Sequence, residues 1–466
     1  MVLNSDGTKK PFRKHKPATE RSAPDKPGLQ ARAAAAKILA AVVDRKLPLD
    51  GALDHEHGNP AYRALGESDR ALVRAILNTT LRHLPRIDAA IAGLLDSPLP
   101  EGARALHHVL AIGAAQILYL DVPDHSAVDL AVEQANLDPR NRRFAKLVNA
   151  ILRRLGREKE QVLDAIGKVA PMPAWFIARL EKAYGRDAAL AISESQLEPA
   201  AIDLTVKSDP EGWAKRLTGV VLPTGGVRLA AFDGGIPSLE GFDEGAWWVQ
   251  DAAASIPAKL FGDLSGKRTA DLCAAPGGKT AQLILAGGAV TALDQSESRL
   301  RRLRSNLDRL GLKAETIAAD LTTFEPAERF DAILLDAPCS STGTTRRHPD
   351  VLWTKGPEDI ARLAALQERL LRHALTLLQP DGTLVFSNCS LDPVEGEEVV
   401  ARVLSDTDAV ERVPIGASDW PGLEAAITPL GEFRTLPTML KMPDGIGSGL
   451  DGFYAAVLRR VPDCKA

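Results

Sequence analysis

Cysteines 339 and 389 are the residues whose surroundings most suggest chemistry. Each follows an apolar run that reads as a buried strand, "FDAILLD" before one and "GTLVFSN" before the other. Each is flanked by small polar residues: Ser340 and Ser341 follow Cys339, while Asn388 and Ser390 bracket Cys389. A free cysteine taken singly is most often a small core residue. Two of them just past the ends of core strands, on the rim where a ligand sits, are instead placed to work. A reaction that needs both a thiolate and a methyl donor is methylation of pyrimidine carbon 5. That carbon is a poor nucleophile until a thiolate adds at carbon 6 and creates an enamine. A base must then remove the carbon 5 proton so that the thiol leaves by elimination. One group attacks and a second helps release, and on chemistry alone Cys339 and Cys389 are interchangeable.

The methyl donor needs its own site, and "LCAAPGGKT" provides a candidate. It follows a strand ending near Asp271 and precedes a helix, and its glycines let backbone approach a ligand closely. A P-loop is excluded because the glycine required six positions before the lysine is Cys273. No G-x-G-x-x-G is present for a dinucleotide. S-adenosylmethionine fits better. Aspartates 271, 294, 320 and 336 end four successive strands, and a carboxylate about twenty residues past the turn suits a ribose hydroxyl. The expected cofactor site comprises Cys273, Ala274, Ala275, Pro276, Gly277, Gly278 and Lys279, with Asp294 on the ribose, Arg299 beside it, Asp320 toward the adenine amino group, and Asp336. Cys273 serves there through its backbone, and Cys464 near the chain end is incidental. With no C-x-x-C pair, neither a disulfide framework nor a metal site is expected. His107, His108 and His125 pair with no ligand at metal spacing and receive no role.

These residues need elements to hold them. At 466 residues, 45% of them hydrophobic and 25% charged, the chain suits two or three soluble domains. The fold class expected is multi-domain: an all-α domain, a small α/β module, and a Rossmann-like α/β domain. Residues 1–28 form a basic, Pro-rich leader containing Lys9, Lys10, Arg13, Lys14, Lys16, Arg21 and Lys26, expected to be disordered and open to RNA contact. It lacks the apolar core of a signal peptide, and no stretch suits a bilayer, so a cytoplasmic protein is expected. Residues 29–157 carry helical periodicity throughout, with Ser68 a candidate N-cap. Net charge is only −4, yet Arg140, Arg142, Arg143, Lys146, Arg153 and Arg154 lie in a stretch free of acidic residues, a face for a phosphate backbone. Residues 158–245 shift to shorter elements, including a helix in "PAWFIARLEKAYG" and strands in "AIDLTVK" and "GVVLP". Residues 246–466 alternate strand and helix, which implies a doubly wound, mostly parallel sheet with ligands at the strands' carboxyl ends.

Two resemblances sharpen this reading. "VPDHSAVDLAVEQAN" followed by "RFAKLVNAILRRL" resembles the NusB-type RNA-binding helical fold. "ADLCAAPGGKT", "LLDAPCSSTGTTRRHPDVLW", "FSNCSLDPVEGEE" and "DGFYAAVLRR" resemble the motifs of the RsmB (Fmu/Sun) RNA cytosine-carbon-5 methyltransferases. The resemblance implies S-adenosylmethionine as cofactor and 16S ribosomal RNA as partner, with a monomer expected; transfer RNA is the alternative substrate, and a non-catalytic assembly factor the alternative class. It also implies that Cys389 attacks, Cys339 assists release, and Asp336 and Lys279 lie at the catalytic centre. Arg346, Arg347 and His348 are expected to meet phosphate or base. The family usually has Thr before the nucleophile and Gly two places after the other cysteine; here these are Asn388 and Ser341.

Overall fold

The computed structural model describes residues 26–230 and 234–461. Cys464 and all but the last three residues of the basic leader lie outside the described residues. Among those described, no helix is long and apolar enough to cross a membrane.

The N-terminal unit is built from helices at Leu29–Arg45, Glu67–Arg82, Leu84–Leu94, Arg104–Tyr119, Asp124–Leu137 and Ala145–Arg157, with two single turns at Leu49–Ala52 and Pro60–Arg63. The helix Arg104–Tyr119 is apolar on nearly every side and accordingly lies at the centre. Gly113 on it faces Leu152, whose Cδ1 would stand 2.7 Å from an added Cβ, so the two helices cross closely. Ser68 is not the cap expected of it. Gly66 occupies that position in extended backbone, and Ser68 is already inside the helix, whose first turn carries Glu67 and Asp69 at the positive end of the dipole. The helix Lys159–Gly167, expected in the middle module, packs Val162, Leu163 and Ile166 onto this helical core.

Among the described residues twelve strands form two sheets. The small one orders β2 (Gly219–Val221), β3 (Val227–Leu229), β1 (Asp203–Val206) and β4 (Trp247–Val249), all antiparallel. Its last strand comes from beyond residue 245, so the middle module borrows a strand from the segment that leads into the large sheet.

That large sheet contains β5 (Arg268–Leu272), β6 (Ala289–Asp294), β7 (Glu315–Ala318), β8 (Phe330–Asp336), β9 (Leu378–Asn388), β10 (Val410–Val413), β11 (Phe433–Thr435) and β12 (Phe453–Arg460). Their order is β10-β12-β9-β8-β5-β6-β7, with β11 also on β12. The five strands β9 through β7 run parallel, while β10, β11 and β12 add an antiparallel edge. Strand order reverses between β5 and β8, and a ligand crevice opens at such a switch point. The five parallel strands are the elements expected from sequence; the short, mixed strands β10 and β11 carried no comparable signal.

The helical unit grips the segment that follows β8. Trp353 Nε1 donates to Leu81 O at 2.9 Å, Arg82 donates to Arg346 O at 2.8 Å, and Leu49 N–H donates to the Asp350 carboxylate at 3.0 Å. The two helices Ala174–Tyr184 and Arg186–Ser195 brace the segment after β9. Tyr184 donates to Leu391 O at 2.6 Å, and Arg179 pairs with Asp392. Both cysteine-bearing loops are therefore held from outside the sheet.

Candidate active site

The turn after β5 begins with Cys273 in left-handed backbone, φ +65°. It continues through a cis Ala275–Pro276 bond to Gly277, φ +103°, which caps the helix Gly278–Leu285. The end of β6 and the following helix hold it in place. Ala274 N–H donates to Leu293 O at 2.9 Å, Arg299 donates to Ala275 O at 2.6 Å, and Asn306 donates to Pro276 O at 2.9 Å. At Gly277 a side chain would need a backbone angle L-residues avoid and would stand 2.9 Å from Leu303 Cγ. Gly277→Ala is expected to cost about 1–3 kcal/mol of stability and to weaken cofactor binding, as checked by chemical denaturation and by titration with S-adenosylhomocysteine.

Around this turn the strand ends enclose a cavity of about 600 Å³, within the range of small-molecule sites. Cys273, Ala275, Asp294, Arg299, Asp320 and Asp336 all line it. Asp294 is buried; its Oδ1 accepts from Ser296 N–H at 2.9 Å, and its Oδ2 faces Ala275 N–H and the Arg299 guanidinium at 3.3 Å each. Asp320 is exposed, and hydrogen bonds from the Thr322 hydroxyl and N–H hold its carboxyl below the usual range. The far wall is apolar: Leu321 on one side and Leu363, Leu366 and Leu370 from the helix Pro357–Thr376 on the other. Those leucines were not anticipated as site residues, although their spacing along an amphipathic helix marks one face. Asp271, by contrast, lies beneath the site. Fully buried, it accepts from Thr280 Oγ1 at 2.6 Å, and burial pushes its carboxyl up to about 7. A carboxylate beside the turn, a second across the cavity, an apolar slot between them and a glycine cradle together suit S-adenosylmethionine.

At the other end of the cavity lie the thiols. β8 and β9 are parallel neighbours with Asp336 opposite Ser387, so the residues just past their ends converge. Cys339 Sγ and Cys389 Sγ are 3.5 Å apart, and both line the cavity. Asp336 accepts from Lys279 Nζ at 2.8 Å and from Ser387 Oγ at 2.9 Å. Burial disfavours the Lys279 charge, but Asp336, with Cys389 and Asp271, outweighs that and raises the ammonium above the ordinary lysine range. Lys279 Nζ also lies 5.0 Å from the Phe453 ring centre, a cation–π contact. The Cys339 thiol is pushed well above its ordinary value, first by the Cys389 sulfur beside it and then by burial. Burial, and then Asp336 and Asp294, push the Cys273 thiol up to about 12, which keeps it protonated and inert as a nucleophile.

The two departures from the family pattern both have visible surroundings. Ser341 sits at φ +59°, where a glycine would be free of strain. Asn388 donates to Glu395 O at 2.6 Å and accepts from Ser390 N–H at 3.0 Å, which folds the loop around Cys389.

Arg346 and Arg347 are not where an RNA contact was expected. Arg346 is buried and donates to Pro199 O and Ser448 O at 3.2 and 2.8 Å. Arg347 bridges Asp251 at 2.5 Å and Asp451 at 3.1 Å, both buried. These partners sit 96 to 147 positions away in the chain, so the residues read as surface cations are internal struts. Burial, and then Asp251, push the Asp451 carboxyl up to about 7. His348 is partly exposed and faces Asp50 at 3.6 Å.

Comparison with known proteins places this geometry. Residues 29–157 match the NusB family model, and residues 263–459 match the model described as 16S rRNA methyltransferase RsmB/F. The ribosomal RNA small subunit methyltransferase B of Vibrio vulnificus (strain YJ016) is 36% identical over 453 residues, covering 92% of this chain and 99% of that protein. The protein of the same name from Pasteurella multocida (strain Pm70) is 32% identical over 456 residues, covering 93% and 96%. Among solved structures, PH0851 matches with a TM-score of 0.68 at 20% identity, covering 94% of this chain and 100% of that one. NSun6 from Pyrococcus horikoshii, solved with SFG, matches with a TM-score of 0.53 at 18% identity, covering 64% and 100%. At those identities the two structures speak for the fold. The chain therefore belongs to the RsmB/F family of 16S rRNA methyltransferases that carry an N-terminal NusB domain, and its cofactor is S-adenosylmethionine.

Proposed function

We propose that this enzyme forms 5-methylcytosine in 16S ribosomal RNA through a covalent adduct between Cys389 and the target base. The observation that carries this reading is the pair of thiols, 3.5 Å apart, at the ends of adjacent parallel strands and opening on the cofactor cavity. A cytosine stacked in a helix cannot reach a thiol at such depth, so the target is an unstacked base in single-stranded or loop RNA.

The Cys389 thiolate adds to carbon 6 of the base; the carbon 5–carbon 6 π electrons become those of an enamine whose nucleophilic atom is carbon 5. S-adenosylmethionine supplies an electrophilic methyl group to that carbon. Asp336, fixed by Lys279 and Ser387, would orient the base and the methionine end of the cofactor. Loss of the carbon 5 proton to a base then re-forms the double bond and breaks the carbon 6–sulfur bond, restoring the Cys389 thiolate. Cys339 assists this second half. In the adduct Cys389 is a neutral thioether, so the largest influence that keeps Cys339 protonated in the free enzyme is removed when a second sulfur base becomes useful. Asp294 and Asp320 would hold the ribose and adenine, with Arg299 fixing the turn.

Asp336→Asn keeps the shape but leaves the Lys279 ammonium without its anion. A fall in kcat of about 10²–10⁴-fold is expected, with S-adenosylhomocysteine affinity changed far less.

RNA is held in part by the helical unit. Arg140, Arg142, Arg143, Lys146, Arg153 and Arg154 are all exposed, and Arg140 and Arg154 pair with Asp138 and Glu158. Arg142, Arg143 and Lys146 have no carboxylate partner among the described residues. Replacing these three by alanine is expected to weaken RNA binding and to reduce the slope of log affinity against log salt by about 2, measured by filter binding over a salt series. The activity itself is tested by incubating the enzyme with labelled S-adenosylmethionine and unmodified 16S ribosomal RNA, then digesting to nucleosides. Label in 5-methylcytidine supports the reading; label only in another nucleoside, or in none, overturns it.

A further inference from the structure

Glu395 belongs to the motif "DPVEGEE", and none of the steps above uses it. It is fully buried, and no lysine or arginine lies within ion-pair distance of it among the described residues. Its carboxylate instead gathers donors from both cysteine loops. Oε1 accepts from Ser340 N–H at 2.8 Å and from Gln367 Nε2 at 3.2 Å. Oε2 accepts from the Ser390 hydroxyl at 2.6 Å and from the Ser340 hydroxyl. Its backbone oxygen takes the Asn388 amide at 2.6 Å. Ser340 immediately follows Cys339, while Asn388 and Ser390 flank Cys389. One side chain therefore ties together Ser340 and Ser390, the residues that follow the two cysteines, while the backbone of the same residue holds Asn388.

Burying a carboxylate without a cationic partner is costly unless its lone pairs are satisfied. Here they are met by four donors, three of them from the residues next to the thiols. A loop that needed only to be folded would be served by apolar packing. What a shared acceptor adds is a fixed distance between two segments that come from different strands. Ser340 Oγ and Ser390 Oγ lie 3.2 Å apart across it. Gln367 donates both to Glu395 and to Pro338 O, at 2.9 Å for the latter, so the residue before Cys339 is held by the same network.

We propose that Glu395 is a positioning residue that sets the spacing between Cys389 and Cys339, so that the second thiol stays within reach of the adduct formed by the first. This rests on the reading that Cys389 attacks and Cys339 assists release. Glutamine preserves the arrangement: its carbonyl accepts from Ser340 N–H, and its amide donates to hydroxyl oxygens that rotate to receive it. Alanine leaves the donors without an acceptor.

Spacing can be read without RNA. Dibromobimane becomes fluorescent when it bridges two neighbouring thiols, and Cys339→Ala sets the background. Glu395→Ala is expected to bridge about tenfold more slowly than wild type or worse, and Glu395→Gln is expected to bridge at close to the wild-type rate. With RNA, Glu395→Ala should build up covalent adduct while its KM for S-adenosylmethionine stays near wild type, and Glu395→Gln should restore turnover. Wild-type bridging by Glu395→Ala overturns the proposal. If Glu395→Ala does not fold, as judged by its melting curve and S-adenosylhomocysteine binding, Ser340→Ala decides: slower bridging supports the proposal and an unchanged rate overturns it. A Cys339→Ala enzyme that releases RNA normally removes the role assignment instead, and the bridging rates still decide for or against the Glu395 spacing.

Discussion

Cys389→Ala is expected to abolish methyl transfer, lowering the rate on the order of 10⁴-fold or more, while leaving cofactor binding intact. The size follows from the chemistry. Without addition at carbon 6 there is no enamine, and carbon 5 of an aromatic pyrimidine does not attack a sulfonium methyl at a useful rate. Cys339, 3.5 Å away, is not a ready substitute. Its own loop is fixed through Ser340. The Cys389 side chain is only partly buried and among the described residues its sulfur has no hydrogen-bonded partner other than Cys339 Sγ, so truncation leaves the surrounding network of Asn388, Ser390 and Glu395 in place. Methylation assays with labelled cofactor and equilibrium binding of S-adenosylhomocysteine check both halves of this expectation.

Cys339→Ala has the second largest expected effect, and its character differs. Attack by Cys389 and methyl transfer proceed, because neither uses Cys339. Release stalls, so the enzyme stops after one event with RNA attached. On a denaturing gel this variant should carry labelled RNA as a shifted band, and steady-state turnover should fall about 10²–10⁴-fold although the first methyl group is transferred. Double replacement of Cys339 and Cys389 should remove the band. An adduct that persists in the double variant would point to another nucleophile, and Cys273 is poorly suited, with its thiol pushed up to about 12.

What the sequence made legible was local. Each of β6, β8 and β9 carries an apolar run closed by a polar residue, and parallel strands buried on both faces read that way. The turn at 273–279 announced itself through glycines and the absent P-loop residue. The thiol pair was legible because two such strands end in the same kind of sequence. What was hidden depended on partners far along the chain. Arg346 and Arg347 looked like exposed cations in a loop; only the fold brings the Pro199 and Ser448 carbonyls to Arg346 and Asp251 and Asp451 to Arg347. Glu395 sat unremarked in a motif because its partner Ser340 lies 55 positions earlier. The antiparallel edge was missed for a different reason: β10 and β11 are three or four residues long and contain Glu411, Arg412 and Arg434, so they carry no apolar run. β4 is apolar but only three residues long, and its place in the small sheet is set by pairing with β1.

The account turns on which cysteine forms the bond to RNA. The direct measurement uses wild-type enzyme and ribosomal RNA transcribed with 5-fluorocytidine, whose carbon 5 has no proton to lose, so that the methylated adduct cannot collapse. After digestion of RNA and protein, mass spectrometry identifies the peptide that carries the modified nucleotide. The account predicts the nucleotide on Cys389, in the peptide containing "FSNCSLDPVEGEE". A nucleotide on Cys339, in the peptide containing "DAPCSST", would contradict it and exchange the roles of the two thiols.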